Sequence, residues 1–314
     1  MPRVGPVRVV IALGGNAMTA PDGSARPDDQ RAAIERAMEQ VAPIATAGHQ
    51  VVLTHGNGPQ VGNLLVKNEL AAAVVPPVPL DWCGAQTQGT IGTLILNALA
   101  RRGVARVAAL VSRTLVSAAD AGFSAPSKPI GRYLPRGEAA VMIDHGQIWQ
   151  DRGARGWRRV VASPEPLACL DADAALALLD AGYVVTCAGG GGVPVVDDGN
   201  GGYRGVEAVI DKDLTAALLA ITLDAEALII ATDVEAAMLD WGTLAARALG
   251  RVDVAELRRH AASGAFAGGS MGPKVDAACR FAEQGRGFAA ITSLEHIGDA
   301  LAATSGTIVS RSKE

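Results

Sequence analysis

Only five of the 28 basic side chains in this 314-residue chain are lysines: Lys67, Lys128, Lys212, Lys274 and Lys313. In a chain that so prefers arginine, a retained lysine points to a need for a compact ammonium, which the planar guanidinium fork does not replace. Three of the five stand beside Gly, Pro or Asp, in Ser127-Lys128-Pro129, Asp211-Lys212-Asp213 and Gly272-Pro273-Lys274. Lys67 and Lys313 lack such contexts and read as solvated surface. The two carboxylates around Lys212 suit a helix start, where they complement the dipole. Plain capping would account for the acids. A lysine between them is better explained as a charge held in place for a ligand.

Glycine clusters supply the other part of the chemistry. Gly14-Gly15-Asn16 follows an apolar run. Glycines there let backbone N–H groups approach an anion and form a nest, although an ordinary strand-to-helix turn reads the same way. In His55-Gly56-Asn57-Gly58-Pro59-Gln60-Val61-Gly62, Pro59 suits the first turn of a helix. A helix N-terminus after glycines is a natural anion site. The third glycine falls one residue late for the GxGxxG of dinucleotide folds. His55 reads as a hydrogen-bonding loop residue rather than a catalytic base.

Four consecutive glycines in Ala188 to Pro194 cost backbone entropy, which implies close approach by a ligand or another backbone. Gly268-Gly269-Ser270-Met271-Gly272-Pro273-Lys274 again opens a helix with Gly-Pro, now with Lys in the first turn. It lacks the Gly-Lys-Ser/Thr of a Walker A loop, and its bland reading is a capped surface helix. Glycine nests in both halves, two Gly-Pro helix starts and three isolated lysines suit transfer of a phosphoryl group between two anions. That chemistry depends mainly on positioning and charge neutralisation. No Ser/His/Asp or Cys/His motif and no metal-ligand cluster competes with it.

Short β-branched runs alternating with Ala/Leu helical patterns must position these loops. Strands are predicted over 7–13, 51–54, 106–111, 183–188, 227–231, 288–291 and 306–310. Helices are predicted over about 28–47, 59–72, 85–100, 171–179, 214–223, 254–261 and 273–283. Ile34, Met38, Val41 and Ile44 fall on one face of the first helix; Pro43 should kink it and Gly48 should stop it. Such alternation implies a three-layer α/β/α sandwich around a mostly parallel open sheet. All five loops are expected at the C-terminal ends of strands, where ligands of such sheets gather. The pattern breaks between 118 and 163, a Pro-, Gly- and Arg-rich stretch holding Trp149 and Trp157. It reads as a small inserted subdomain.

Composition narrows the remaining classes. With 49% hydrophobic and 19% charged residues, a large core is available and global disorder is excluded. Aromatics at 4% leave that core to Ala, Val, Leu and Ile. A net charge of −4 and a pI of about 5.8 give no general attraction for nucleic acid or an anionic membrane. No apolar run reaches the roughly 18 residues of a membrane helix. The apolar stretch after Arg8 is too short for a signal peptide and runs into Gly14, so it reads as a buried strand. Cys83, Cys169, Cys187 and Cys279 lie far apart without a CxxC pair, which fits reduced buried thiols in a cytoplasmic protein.

Seven stretches together resemble the carbamate kinases of the amino acid kinase family. They are Ile11 to Ala17, Thr54 to Gly62, Ser127-Lys128-Pro129-Ile130-Gly131, Gly156-Trp157-Arg158-Arg159-Val160-Val161, Ala188 to Pro194, Val209-Ile210-Asp211-Lys212-Asp213, and Gly269 to Lys274. The match spans nearly the whole chain, in order. The resemblance implies exchange of ATP plus carbamate with ADP plus carbamoyl phosphate, Mg²⁺ bridging nucleotide phosphates, and a homodimer. It implies one domain over 1–314. An acceptor half of about 1–185 would carry a protruding subdomain near 120–160, and a nucleotide half would span about 186–314. Carried over by motif, Lys128, Lys212 and Lys274 would contact the phosphates and Asp213 would orient lysines. Gly14, Gly15, Asn16, Gly56, Asn57 and Gly58 would hold the transferring group and carbamate. Gly189, Gly190, Asp233, Met238, Met271 and Gly272 would join Lys212 and Lys274 around the nucleotide.

Two stretches depart from the family pattern. Where the family usually carries a Tyr near the nucleotide base, this chain has Met238, and Arg132-Tyr133-Leu134-Pro135 follows the Lys128 motif. Two other readings stand beside carbamate kinase: a kinase of the same fold acting on another small carboxylate, and a non-catalytic nucleotide- or carbamoyl-phosphate-binding relative.

Overall fold

The computed structural model describes residues 5–15, 26–266 and 270–311. Asn16, Gly268, Gly269 and Lys313 therefore lie outside the described residues. An eight-stranded sheet runs through the molecule. Its order is β15 (Arg251–Asp253), β17 (Thr307–Ser310), β16 (Phe288–Ser293), β12 (Ala227–Thr232), β1 (Arg8–Leu13), β2 (Gln50–His55), β9 (Val184–Thr186) and β3 (Val107–Ala109). Neighbours are parallel except β16 and β17.

Helices cover both faces, and residue alternation along β1 shows why. Val9, Ile11 and Leu13 enter one core with Ile34, Met38 and Val41 of α1 (Pro27–Thr46), Ile91, Ile95 and Leu99 of α3 (Leu80–Arg101), and Ile297 of α10 (Ile297–Leu301). Val10 and Ala12 enter the other core. They meet α6 (Ala172–Asp180), α7 (Lys212–Thr222), α8 (Val254–Ala262) and α9 (Met271–Gln284) through Leu179, Leu219, Leu257 and Phe281. A strand points successive side chains to opposite faces, so a continuous apolar run serves two layers. Pro43 lies inside α1, which continues to Thr46, and Gly48 follows at φ 90°.

Three smaller sheets complete the fold. Strands β11 (Tyr203–Gly205), β10 (Val193–Asp197), β4 (Arg113–Val116) and β8 (Pro166–Cys169) form a four-stranded sheet that the strand–helix alternation did not predict. Strands β13 (Met238–Leu239) and β14 (Arg247–Ala248) form a hairpin. The inserted stretch is a three-stranded antiparallel sheet of β5 (Lys128–Leu134), β7 (Trp157–Val161) and β6 (Trp149–Asp151). It is flanked by α4 (Ala121–Ser124) and α5 (Arg136–Asp144) and has its own small core of Leu134, Ala139, Met142 and Trp149 with Trp157 against it. Helix α2 (Gly58–Ala71) carries Lys67, which is exposed.

Two of the five glycine or lysine loops do not leave strands, contrary to expectation. Asp211 follows a coil whose one strand-like contact is the Ala162–Ala208 bridge, and Ser270 follows α8. Both instead open helices, α7 and α9, that pack on each other under the large sheet. All four cysteines are free and buried. Burial pushes the Cys169 thiol up to about 12 and Cys187 up to about 11, which keeps both as unreactive thiols. Among the described residues, no helix is long and apolar enough to cross a membrane.

Candidate active site

Asp213 lies at the second residue of α7, 3% exposed, and Asp211 caps the helix, its Oδ1 accepting from the Asp213 and Leu214 N–H groups. Each Asp213 oxygen takes a lysine. Lys212 Nζ donates to Oδ1 at 2.5 Å and Lys274 Nζ donates to Oδ2 at 3.1 Å. Lys274 Nζ also donates to the Ser270 carbonyl at 3.3 Å, so the start of α9 holds it in place. Burial opposes ionisation of Asp213, but the two ammonium groups outweigh it and hold the carboxyl below its ordinary range. Burial lowers Lys212, with Asp213 opposing and Lys274 adding to that shift. Lys212 and Lys274 share one buried carboxylate, and an ammonium has three donors, so both keep donors for an anionic ligand.

Three glycine loops touch one another at the ends of the central strands. Gly14 N–H donates to the Ala231 carbonyl at 3.0 Å and Gly56 N–H to the Leu13 carbonyl at 2.9 Å, while Gly56 lies directly against Gly15. Asn57 packs on Gly190, which sits at φ 68°, and a Cβ there would stand 2.1 Å from Asn57 Nδ2. Only glycine satisfies both demands. The four-glycine run is held from below by residues the sequence reading missed. Gln88 of α3 donates to the Gly189 carbonyl at 3.0 Å and the Ser112 carbonyl at 3.1 Å, and accepts from Ser112 N–H at 2.7 Å. Ser112 Oγ in turn accepts from Ala188 N–H at 2.7 Å, and Thr87 accepts from Asn57 Nδ2 at 2.9 Å. The adjacent polar pair Thr87-Gln88 on a helix face that is otherwise mostly apolar was the available signal.

His55 is fully buried beneath these loops. Its Nδ1 meets the Gly56 carbonyl at 2.9 Å, and Nε2 has no partner and faces Gly189. Burial lowers its pKa from 6.5 to about 4, against the Gly56 bond, and the nearby Lys212 charge lowers it further. The unfolded chain takes up this proton near pH 6.5 and the folded chain only near 4. Between those values the unfolded state binds more protons, so stability falls as pH falls. The loss is about 2 kcal/mol between pH 7 and pH 5. Denaturant unfolding at both pH values should therefore show a smaller gap in His55→Gln than in the parent. An unchanged gap would show that another group carries the acid sensitivity.

The remaining expected residues are distributed around this centre. Gly58 is exposed at the start of α2, Asp233 is exposed just after β12, and Met238 is half-buried at the start of β13. Met271 and Gly272 are half-buried in the first turn of α9. Lys128 is the first residue of β5 and is exposed on the subdomain. The structure thus joins Lys212, Asp213 and Lys274 directly and leaves Lys128 apart from them.

A fold with buried lysines paired to one carboxylate beside backbone nests defines a small-molecule phosphotransferase. Residues 7–293 match the model of the amino acid kinase family. The chain belongs to the amino acid kinase family, and its full-length relatives place it among the carbamate kinases. It is 44% identical to the carbamate kinase of Thermococcus kodakarensis over 97% of this chain and 99% of that protein. It is 41% identical to a carbamate kinase-like protein of Escherichia coli over 95% of this chain and 97% of that protein. The structure of a Giardia lamblia carbamate kinase bound to AMP-PNP superimposes with a TM-score of 0.92 at 39% identity, covering 98% of this chain and 99% of that one.

Proposed function

We propose that this chain transfers a phosphoryl group reversibly between ATP and carbamate. The observation that carries the reading is the Lys212–Asp213–Lys274 cluster beside three touching glycine loops. Full-length similarity to carbamate kinases supports the choice of acceptor. In the direction that makes ATP, a β-phosphate oxygen of ADP attacks the phosphorus of carbamoyl phosphate. The bond from phosphorus to the carbamate oxygen breaks, and carbamate leaves as an anion with the electron pair, later yielding ammonia and CO₂. Neither group needs a proton moved, so no general base is required. Lys212 and Lys274 neutralise charge on the transferring group, and Asp213 holds the two ammonium groups in register.

Lys128 approaches from the subdomain. Gly14, Gly15, Asn16, Gly56, Asn57 and Gly58 hold the transferring group and carbamate. Gly189, Gly190, Asp233, Met238, Met271 and Gly272 border the nucleotide. Both Asp213 oxygens are committed to lysines, which fits Mg²⁺ held through nucleotide phosphates rather than by that carboxylate. Bound there, Mg²⁺ would neutralise phosphate charge. A homodimer in the cytoplasm belongs to the same proposal; Leu70, Val74 and Trp82 are exposed apolar surface available to a second copy.

The test is ATP formation from ADP and carbamoyl phosphate with Mg²⁺. Magnesium-dependent turnover is expected. Tight ADP binding without turnover would favour the non-catalytic reading, and turnover with acetyl phosphate alone would favour another small carboxylate.

A further inference from the structure

The proposed reaction needs Lys128, on a subdomain with its own sheet, to meet Lys212 on the main body. One backbone track joins them. Lys128 pairs with Val161 across β5 and β7. The chain continues to Ala162, which bridges Ala208 in parallel and accepts from Val209 N–H at 3.0 Å. Asp211 and Lys212 follow within three residues. A shift of β7 against the segment 207–209 therefore moves one lysine relative to the other.

A side-chain bolt crosses this track. Arg159 of β7 pairs with Glu207, the residue before the bridge. The Arg159 side chain is 5% exposed and that of Glu207 51%. The second Glu207 oxygen accepts from Leu80 N–H at 2.8 Å, so the same carboxylate pins the start of α3, the helix that carries Thr87 and Gln88. Apolar packing fills one side of this junction, where Val209 packs against Val161, Leu65 and Leu80, and leaves the side at the ion pair open. A cavity of about 370 Å³ lies beside the pair, lined by Pro76, Pro79, Phe123, Gln147 and the pair itself. Arg159 Nε is buried without a partner. A guanidinium desolvated in this way carries a burial cost that one ion pair only roughly offsets, so the pair adds little net stability. What an ion pair adds at such a place is a defined geometry.

We infer that Arg159 and Glu207 are positioning residues, whose ion pair sets where Lys128 stands relative to Lys212 during phosphoryl transfer. The inference rests on the proposed role of Lys128. Glu207→Gln keeps the shape and the acceptor for Leu80 N–H but removes the charge. It should lower kcat by about 10-fold with KM for ADP changed by less than about 2-fold, as misplacement of one transition-state donor would. In a Lys128→Ala background the same substitution should cost less than about 2-fold, because the group it positions is gone. Arg159→Lys keeps the charge but loses the fork, and should show the same dependence on background.

Equal losses in both backgrounds would mark the pair as merely structural and overturn the inference while leaving the proposed function standing. No loss in either would do the same. A Lys128→Ala enzyme with parental kcat would overturn both the role of Lys128 and the inference built on it.

Discussion

Replacing Lys212 or Lys274 by arginine should lower kcat by at least ~10²-fold, the scale of losing one transition-state donor, with the fold intact. The geometry gives the reason. The Lys274 side chain is 7% exposed and its Nζ sits between Asp213 Oδ2 and the Ser270 carbonyl, at 3.1 and 3.3 Å. Lys212 Nζ is 2.5 Å from the other Asp213 oxygen. A planar guanidinium is longer and presents its donors in a fixed fork, so it can keep the charge but not the point at which the charge acts. Phosphoryl transfer offers little else for a side chain to stabilise than charge on the moving group. Lys67→Arg is the control, because Lys67 is exposed on α2, and it should behave as the parent. Steady-state ATP formation and thermal melts of the three variants check the expectation. Equal, mild losses across all three would show that the glycine loops alone carry the site.

Lysine scarcity led to the cluster because composition is a property of the whole chain, whereas the partners of those lysines are set by tertiary packing. Asp213 was legible beside Lys212, yet its second bond joins residues 61 positions apart. The central sheet was legible because β1, β2, β12 and β16 are apolar runs between turn signals, and the face of α1 repeats with the helical period. The second sheet was not. Tyr203, Arg204 and Gly205 of β11 are all exposed, and β4 finds its partners in β8 and β10, far along the chain. No local pattern encodes such pairing.

The two misplaced loops have a related cause. Val209-Ile210 resembles the end of a strand, but although its side chains are packed into two apolar clusters, its backbone pairs only through the adjacent Ala162–Ala208 bridge and the bond from Val209 N–H to the Ala162 carbonyl. Lys212 and Lys274 instead reach the site from helix starts, whose backbone N–H groups and dipole favour anions as strand-end loops do. Gln88 was hidden for the opposite reason. It lies on the buried face of α3 near Cys83 and Ile91, where periodicity alone reads as core. Its function appears only once the fold brings Gly189 and Ser112 to it.

Asp213→Asn should be the most destabilising of the conservative changes at the site, costing about 3 kcal/mol, the scale of breaking a buried ion pair by removing one partner. Both oxygens of Asp213 hold an ammonium, and the residue is 3% exposed. An amide of the same shape can accept from one lysine but offers the other a donor, and leaves two cations facing each other with no anion between them. Part of that repulsion is relieved by any bound polyphosphate, which supplies negative charge at the same place. Denaturant unfolding with and without saturating ADP separates the two effects. The variant should lose about 3 kcal/mol in the free state and regain more on ADP binding than the parent gains, because ligand that binds only the folded form adds its binding free energy to stability. Its kcat should fall sharply, since the lysines then lack the carboxylate that holds them in register. An identical ADP-induced gain in variant and parent would mean that the phosphates do not lie against Lys212 and Lys274, and would remove the cluster from the nucleotide site.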